Sequence, residues 1–300
     1  MMNRYILALL LVFGAFLRTP SCGKAAPEEE AVPLEAADMS QTVLPGLFSV
    51  SPERQVRFSK GNLQATYSKK AGKYRWGFAA HQYDFVGGNN GQTAGISGNN
   101  NIDRQTDGAK VDLFGWTVDG KYADGIKQYG INTSIDNADY GPGGECCDWG
   151  AVIDDKVPWR VLSSEEWNYL VNLRKIKRGG VEDEFSGMGH TCQRVRYHQV
   201  SGLIVYPDEY EGTVFDHEAS IADDDFPDDC VFLPTAGYRF GSGVFRTDNG
   251  GKYWSGTPAR PDCAYYFFFD LNRTFVEYYY GCDGYSVRLV TDSIPSNITL

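Results

Sequence analysis

Four histidines, His81, His190, His198 and His217, are the side chains best suited to proton transfer near neutral pH, and they are scattered along the chain. His190 and Cys192 stand two apart, with His198 further on. That set offers metal ligands without matching a common zinc spacing, and a solvated loop is the competing reading. Asp223, Asp224, Asp225, Asp228 and Asp229 offer hard oxygen ligands that suit a structural Ca²⁺. The run lacks EF-hand spacing and reads equally as a solvated acidic stretch. No Ser–His–Asp arrangement and no phosphate-cradling glycine loop is convincing. The reactive residue types do not converge on a reaction, so the chain reads as a binding protein and not as an enzyme.

Binding chemistry is concentrated near the C-terminus. Between Tyr265 and Tyr280 stand Tyr265, Tyr266, Phe267, Phe268, Phe269, Phe275, Tyr278, Tyr279 and Tyr280. In a strand, successive side chains point to opposite faces, so one half of such a run enters a core and the other half needs another use. An aromatic face left in water marks an interaction surface. Tyrosine suits that role because it offers rigid area and a hydrogen-bonding tip. The alternative is a strand buried on both faces, and for Tyr266 and Phe268 both readings stay open. Tyr278, Tyr279 and Tyr280 adjoin Gly281 and Gly284 in a turn-prone stretch, and the surface is expected for them. Trp254, Val287 and Leu289 read as core, and Arg288 reads as a structural ion-pair partner.

The elements that must hold this segment are short. Turn signals recur at Gly61-Asn62, Gly87 to Asn90, Asp119-Gly120, Gly141 to Gly144, Gly179-Gly180, Gly241 to Gly243 and Asn249 to Gly251. Between them lie strand-like runs: Val56–Phe58, Tyr74–Phe78, Leu203–Tyr206, Val231–Leu233 and Ser286–Val290. Residues 87–110 are rich in Gly, Asn and Gln and read as a long exposed loop. Ser163-Ser164-Glu165-Glu166 has the capping-box form, and Trp167, Leu170, Val171 and Arg174 follow at helical spacing. A poorer helix is expected near 122–130. Few helices among many short strands predict an α+β domain with irregular connections.

The chain starts with a short, weakly basic stretch, Asn3-Arg4-Tyr5, and an apolar run from Ile6 to Leu17. That run is shorter than the about 20 residues that cross a bilayer, and the layout is that of a secretory signal peptide over residues 1–21. Cys22 follows Ser21 directly and is expected to become a lipidated N-terminus. An ordinary signal peptide with Cys22 incidental is the competing reading. Residues 22–45, rich in Ala, Pro and Glu, read as an acidic flexible tether. A single domain over 46–292 and a tail over 293–300 complete the organisation. The formal net charge is −11, and residues 1–21 contain bases and no acids, so the exported part is more acidic still. Such a balance argues against a nucleic-acid partner, which needs a basic surface. Beyond Cys22, the cysteines are Cys146, Cys147, Cys192, Cys230, Cys263 and Cys282. An even number in an exported protein permits disulfides, and free or partly paired thiols are equally compatible.

Several stretches resemble one family in both order and wording. They are Val56–Gln64, Asp112–Trp116, Trp159–Trp167, Gly202–Asp208, Phe232–Arg239, Tyr253–Thr257 and Tyr285–Val290. They are similar to Bacteroidetes surface proteins related to the Fibrobacter major paralogous domain, over about residues 46–291. The resemblance implies a C-type-lectin-like fold of the formylglycine-generating-enzyme type and display at the cell surface as an outer-membrane lipoprotein. Acidic residues after Cys22, including Glu28-Glu29-Glu30, resemble the export signal of such lipoproteins. Some proteins of this fold class are variable proteins of diversity-generating retroelements, in which adenine-directed mutagenesis rewrites a binding face. Residues 260–285 look similar. The resemblance implies a ligand face made of Arg260, Asp262, Cys263, Tyr265, Phe267, Phe269, Asn272, Thr274, Tyr278, Tyr279, Tyr280, Cys282, Asp283 and Tyr285. Each of these residue types arises from an asparagine codon when its adenines change. Trp254 and Ser286–Val290 would be the fixed frame, and the ligand a protein or a glycan. The glutamate-proline-asparagine motif of calcium-dependent sugar binding and the paired active-site cysteines of formylglycine-generating enzymes have no match here. A structural envelope component and a degenerate enzyme of the formylglycine-generating type are the other readings.

Overall fold

The computed structural model describes residues 42–86, 105–116, 130–131, 135, 148–153 and 156–292. The expected signal peptide, Cys22, the expected tether up to residue 41, most of the Gly/Asn-rich loop, all but the last residue of the helix expected near 122–130, Cys146, Cys147 and the tail lie outside these residues. In chain order the strands are β1 (Phe48–Ser51), β2 (Arg54–Phe58), β3 (Leu63–Ser68), β4 (Lys73–Phe78), β5 (Lys110–Val111), β6 (Phe114–Gly115) and β7 (Arg160–Val161). After the helix α1 (Ser164–Asn168) come β8 (Lys177–Arg178), β9 (Val181–Glu182), β10 (Cys192–Tyr197), β11 (Val200–Val205), β12 (Glu209–Tyr210), β13 (Ala219–Ile221) and β14 (Val231–Pro234). The last are β15 (Tyr238–Phe240), β16 (Gly243–Phe245), β17 (Gly251–Arg260), β18 (Cys263–Phe269), β19 (Thr274–Tyr280), β20 (Gly284–Tyr285) and β21 (Leu289–Thr291).

These strands form several small, mainly antiparallel sheets. One joins the two ends of the described chain in the order β1-β2-β21-β7, and another is β13-β10-β11-β14. The sheet that matters for the site is β17-β18-β19. The expected α+β character is thus reduced to a mostly β architecture with one short α-helix among the described residues. The strand expected over Ser286–Val290 begins only at Leu289. Before it, Ser286 forms a parallel bridge to β17, accepting from Trp254 N and donating to Lys252 O, each at 3.0 Å, and Leu63 N donates to Val287 O at 2.9 Å.

The helix begins where the capping box places it. Ser163 Oγ accepts from Glu166 N at 3.1 Å, and Glu166 Oε2 accepts from Ser163 N at 2.8 Å. Glu166 also receives Arg160 at 2.7 and 2.8 Å and Arg54 at 3.2 Å. Burial works against the charge of Arg160, but the hydrogen bonds it donates to Asp292 and Glu166 and the charges of those carboxylates outweigh it and raise its pKa. Past Asn168 the backbone continues as a π-helical turn over Tyr169–Leu173. Trp167, Leu170 and Val171 are fully buried. Arg174, at the end of that turn, is buried with them and donates to Leu170 O at 2.7 Å, to Asp208 at 2.7 Å and to Tyr206 O. Asp208 also accepts from Ser49 and Gln55, which ties the helix end to the hairpin β1-β2.

The Phe232–Arg239 stretch contains a backbone requirement. Gly237 has φ +70°, and a Cβ there would lie 2.1 Å from Phe245 O. Arg239 is wholly buried and donates to the carbonyls of Leu113, Gly241 and Gly130. Arg288, expected in an ion pair, is also wholly buried, but its hydrogen-bond partners are the amide oxygens of Asn62 (3.2 Å) and Gln82 (2.8 Å). Burial pushes its pKa down to about 10. Amides in place of a carboxylate spare the desolvation of a second charge, which is costly in such a place.

The strand β18 lies between two apolar clusters. Tyr266 and Phe268 join Trp254, Tyr285 and Leu289 on one side. Phe267 and Phe269 join Trp167, Tyr253 and Leu203 on the other. Phe267 stacks on Trp167 with ring centroids 4.9 Å apart and planes 14° apart. The substitution Phe267→Ala is therefore expected to cost about 3–5 kcal/mol of stability. Tyr280→Ala, at the exposed end of the neighbouring strand, is expected to stay within about 0.5 kcal/mol of the parent chain. Urea denaturation of the two variants checks both values.

Candidate functional site

The sheet β17-β18-β19 carries most of the residues expected to bind. Its register pairs Tyr265 with Tyr278, Phe267 with Val276, Phe269 with Thr274 and Cys263 with Tyr280. Paired residues point to the same face, and neighbours in sequence to opposite faces. One face therefore carries Cys263, Tyr265, Phe267 and Phe269 with Tyr280, Tyr278, Val276 and Thr274. The other carries Ala264, Tyr266 and Phe268 with Tyr279, Glu277 and Phe275.

This geometry removes six residues from the expected ligand face. Phe267 and Phe269 are fully buried because both faces of β18 are covered by packed clusters, and Tyr285 is fully buried as part of one of those clusters. Cys263, Cys282 and Asp283 are buried as well. Tyr266 and Phe268, for which two readings were open, lie in the core. Asn272 is exposed in the β18-β19 hairpin, where its N–H donates to Asp270 Oδ1 at 3.1 Å. Thr274 bonds Asn172 Oδ1 at 2.7 Å and so anchors β19 to the helical segment.

What remains outward is smaller and is divided in two. Arg260, Tyr265, Tyr278 and Tyr280 share the face of the sheet that α1 covers further along, with Asp262 half-buried at the turn. Trp167 covers Phe267 but Tyr265 meets Tyr278 instead, edge to face at 5.7 Å. The Arg260 guanidinium lies 4.6 Å from the Tyr278 ring centre and donates to its hydroxyl. Tyr280 is 45% exposed, and β19 is the edge strand of its sheet. Tyr279, 47% exposed, points to the opposite face. The three consecutive tyrosines thus belong to two surfaces.

The surface of Tyr279 holds a residue that the sequence reading missed. Lys252, half-buried on β17, places its ammonium 4.3 Å from the Tyr238 ring centre, 4.7 Å from Tyr285, 5.0 Å from Tyr266 and 5.5 Å from Tyr279. Its Nζ donates to Tyr285 Oη at 3.2 Å, and Tyr285 Oη donates to Asp283 Oδ2 at 3.1 Å. Tyr266 Oη donates to Glu277 Oε2 at 3.3 Å beside them. Burial pulls the Lys252 pKa down to about 8 against the pull of Asp283. Burial raises the pKa of Asp283 and pushes that of Tyr285 well up. The available signal was a lone lysine between Gly251 and Tyr253 in the buried first half of its strand.

The histidines are not all scattered in space. Tyr83 stacks between His81, at 4.9 Å, and His198, at 4.0 Å. His198 Nε2 meets Asp223 Oδ1 at 2.7 Å. His81, Tyr83 and Asp223 border a cleft of about 430 Å³ that Tyr197, Phe226, Asp228 and Lys60 also line. His190 approaches Asp183 at 3.5 Å, while Cys192 is buried in the core, so the two do not form a metal pair. Among the described residues no group of three or more His, Cys, Asp or Glu converges as a metal site. Asp223–Asp225 form a 3₁₀ turn with exposed side chains, so the acidic run is a solvated stretch rather than a cage. Cys192, Cys230 and Cys263 are free, buried thiols. Burial and the neighbouring Asp262 push the Cys263 thiol up to about 11, which leaves little thiolate at neutral pH.

The position of Lys252 has a pH signature. A lysine whose pKa falls on folding binds its proton more weakly in the folded state, so its contribution to stability rises with pH between about 8 and 10.5. The stability difference between the parent chain and Lys252→Met is expected to shift in favour of the parent from pH 7.5 to pH 9.5. Urea denaturation at the two pH values measures it. Compared with family models, curated proteins and solved structures, the chain matches none.

Proposed function

We propose that the chain is an exported binding protein, held at the outer cell surface through a lipidated Cys22, whose domain has the C-type-lectin-like topology and binds without turnover. Its ligand face consists of Arg260, Asp262, Tyr265, Tyr278 and Tyr280, with Asn272 at the far end of the same hairpin. A protein or glycan is the ligand. The observation that carries this reading is the outward run of Tyr265, Tyr278 and Tyr280 with Arg260 on one face of a sheet whose other aromatics on that face, Tyr253, Phe267 and Phe269, are buried. Tyrosine and arginine are the residue types that dominate binding energy at interface centres. The edge position of β19 adds free backbone groups to that face. A thiol-based enzyme is disfavoured, because Cys263 is a buried thiol with a raised pKa.

Retroelement diversification fits this face better than the buried positions. Substitutions at Arg260, Tyr265, Tyr278 and Tyr280 leave both apolar clusters intact, whereas changes at Phe267, Phe269 or Tyr285 disrupt them. A near-copy of the 253–290 coding segment beside a reverse-transcriptase gene, differing at adenines, is the genomic expectation. Its differences are expected to fall on the four outward positions more than on the three buried ones.

Truncation of the face is the direct test. The double variant Tyr278→Ala, Tyr280→Ala is expected to keep the urea midpoint of the parent. It is expected to lose at least about a hundredfold in affinity for ligands retained by the parent on glycan and surface-protein arrays. Unchanged retention by the folded double variant would sink the reading.

A further inference from the structure

We propose that Lys252 is a carbonyl-reactive lysine, a site at which the chain captures small, uncharged aromatic aldehydes as a reversible imine. The proposal rests on the cluster around Lys252 and is independent of the ligand face on the opposite side of the sheet. Four tyrosine rings surround the amine within 5.5 Å. Two of them, Tyr266 and Tyr285, are buried, and Tyr279 forms the exposed rim. The charged groups that face the amine are Asp283, Glu277 and Arg246. Asp283 is held in place by the Tyr285 hydroxyl, which also receives the Lys252 amine.

This arrangement suits imine chemistry at each stage. Attack needs the neutral amine, and a desolvated lysine supplies it at lower pH than an exposed one. With a pKa of about 8, about one amine in ten is neutral at pH 7, against about one in three thousand for an ordinary lysine. The nitrogen lone pair forms the C–N bond while the C=O π bond breaks. The oxygen leaves as water, with one hydrogen from the nitrogen and one from solvent, and a protonated imine remains. That cation occupies the place of the ammonium, where the tyrosine faces and Asp283 stabilise it. Tyr285 acts as a positioning residue, since its hydroxyl fixes the amine. The rings favour an aromatic aldehyde, and Asp283 with Glu277 disfavours an anionic one.

Reductive trapping tests the assignment on the full chain. Benzaldehyde with cyanoborohydride, followed by peptide mass mapping, is expected to place a benzyl adduct on Lys252 at least tenfold faster than on the exposed Lys69 and Lys70. The labelling rate at Lys252 is expected to rise with pH to a midpoint near 8, and Asp283→Asn is expected to move that midpoint lower. 4-Carboxybenzaldehyde is expected to label Lys252 more slowly than benzaldehyde relative to Lys69. Tyr285→Phe, which keeps the ring, is expected to slow labelling at Lys252 and leave Lys69 unaffected. Labelling of Lys252 no faster than Lys69 and Lys70, or a midpoint near 10.5, overturns the proposal.

Discussion

Burial of β18 on both faces is the constraint around which the rest of the domain is arranged. A strand with apolar residues at consecutive positions cannot lie on a surface, so one cluster must cover each side. On one side the cover is the helix, through the stack of Trp167 on Phe267. On the other it is Trp254 and Tyr285, whose rings lie 4.1 Å apart. Each tryptophan must also satisfy its indole N–H once buried. Trp167 donates to Trp254 O, and Trp254 donates to Phe114 O. These bonds link the helix, β17 and β6 across the strand that they enclose.

Buried arginines extend the same logic to the irregular segments. Arg174, Arg194, Arg239 and Arg288 are all nearly or wholly buried. Each guanidinium offers five donors in a fixed plane, enough to satisfy several carbonyls that no strand would reach. Arg239 serves three separate backbone carbonyls, while Arg174 binds one carboxylate and two carbonyls. A domain with many short strands leaves many such carbonyls, and the arginines take the place of regular pairing.

The two-sided burial also decides what the surface can be. The helix covers the sheet over Phe267 but not over Tyr265, and the far end of β18-β19 is thereby left with exposed tyrosines. Strand alternation then separates Tyr279 from Tyr278 and Tyr280. One surface becomes an outward aromatic patch with Arg260, and the other becomes the rim of an enclosed lysine. Two chemically different surfaces thus arise from one hairpin without any change of backbone geometry.

Much of the local structure was legible in residue order. The Ser163–Glu166 capping box, the buried set Trp167, Leu170 and Val171, the turn at Gly179-Gly180 and the core roles of Trp254, Val287 and Leu289 follow from short-range rules, because each depends on neighbours a few residues away. The same order also concentrated the aromatic residues between 265 and 280. Tertiary structure decided which of those side chains meet water. Phe267 and Tyr265 share a strand face and differ only in whether Trp167, about a hundred residues distant in the chain, lies over them. The lysine cage likewise gathers Tyr238, Lys252, Tyr266, Tyr279 and Tyr285 from five strands. Neither composition nor periodicity records such a meeting, since it depends on strand register and on how the covering elements pack.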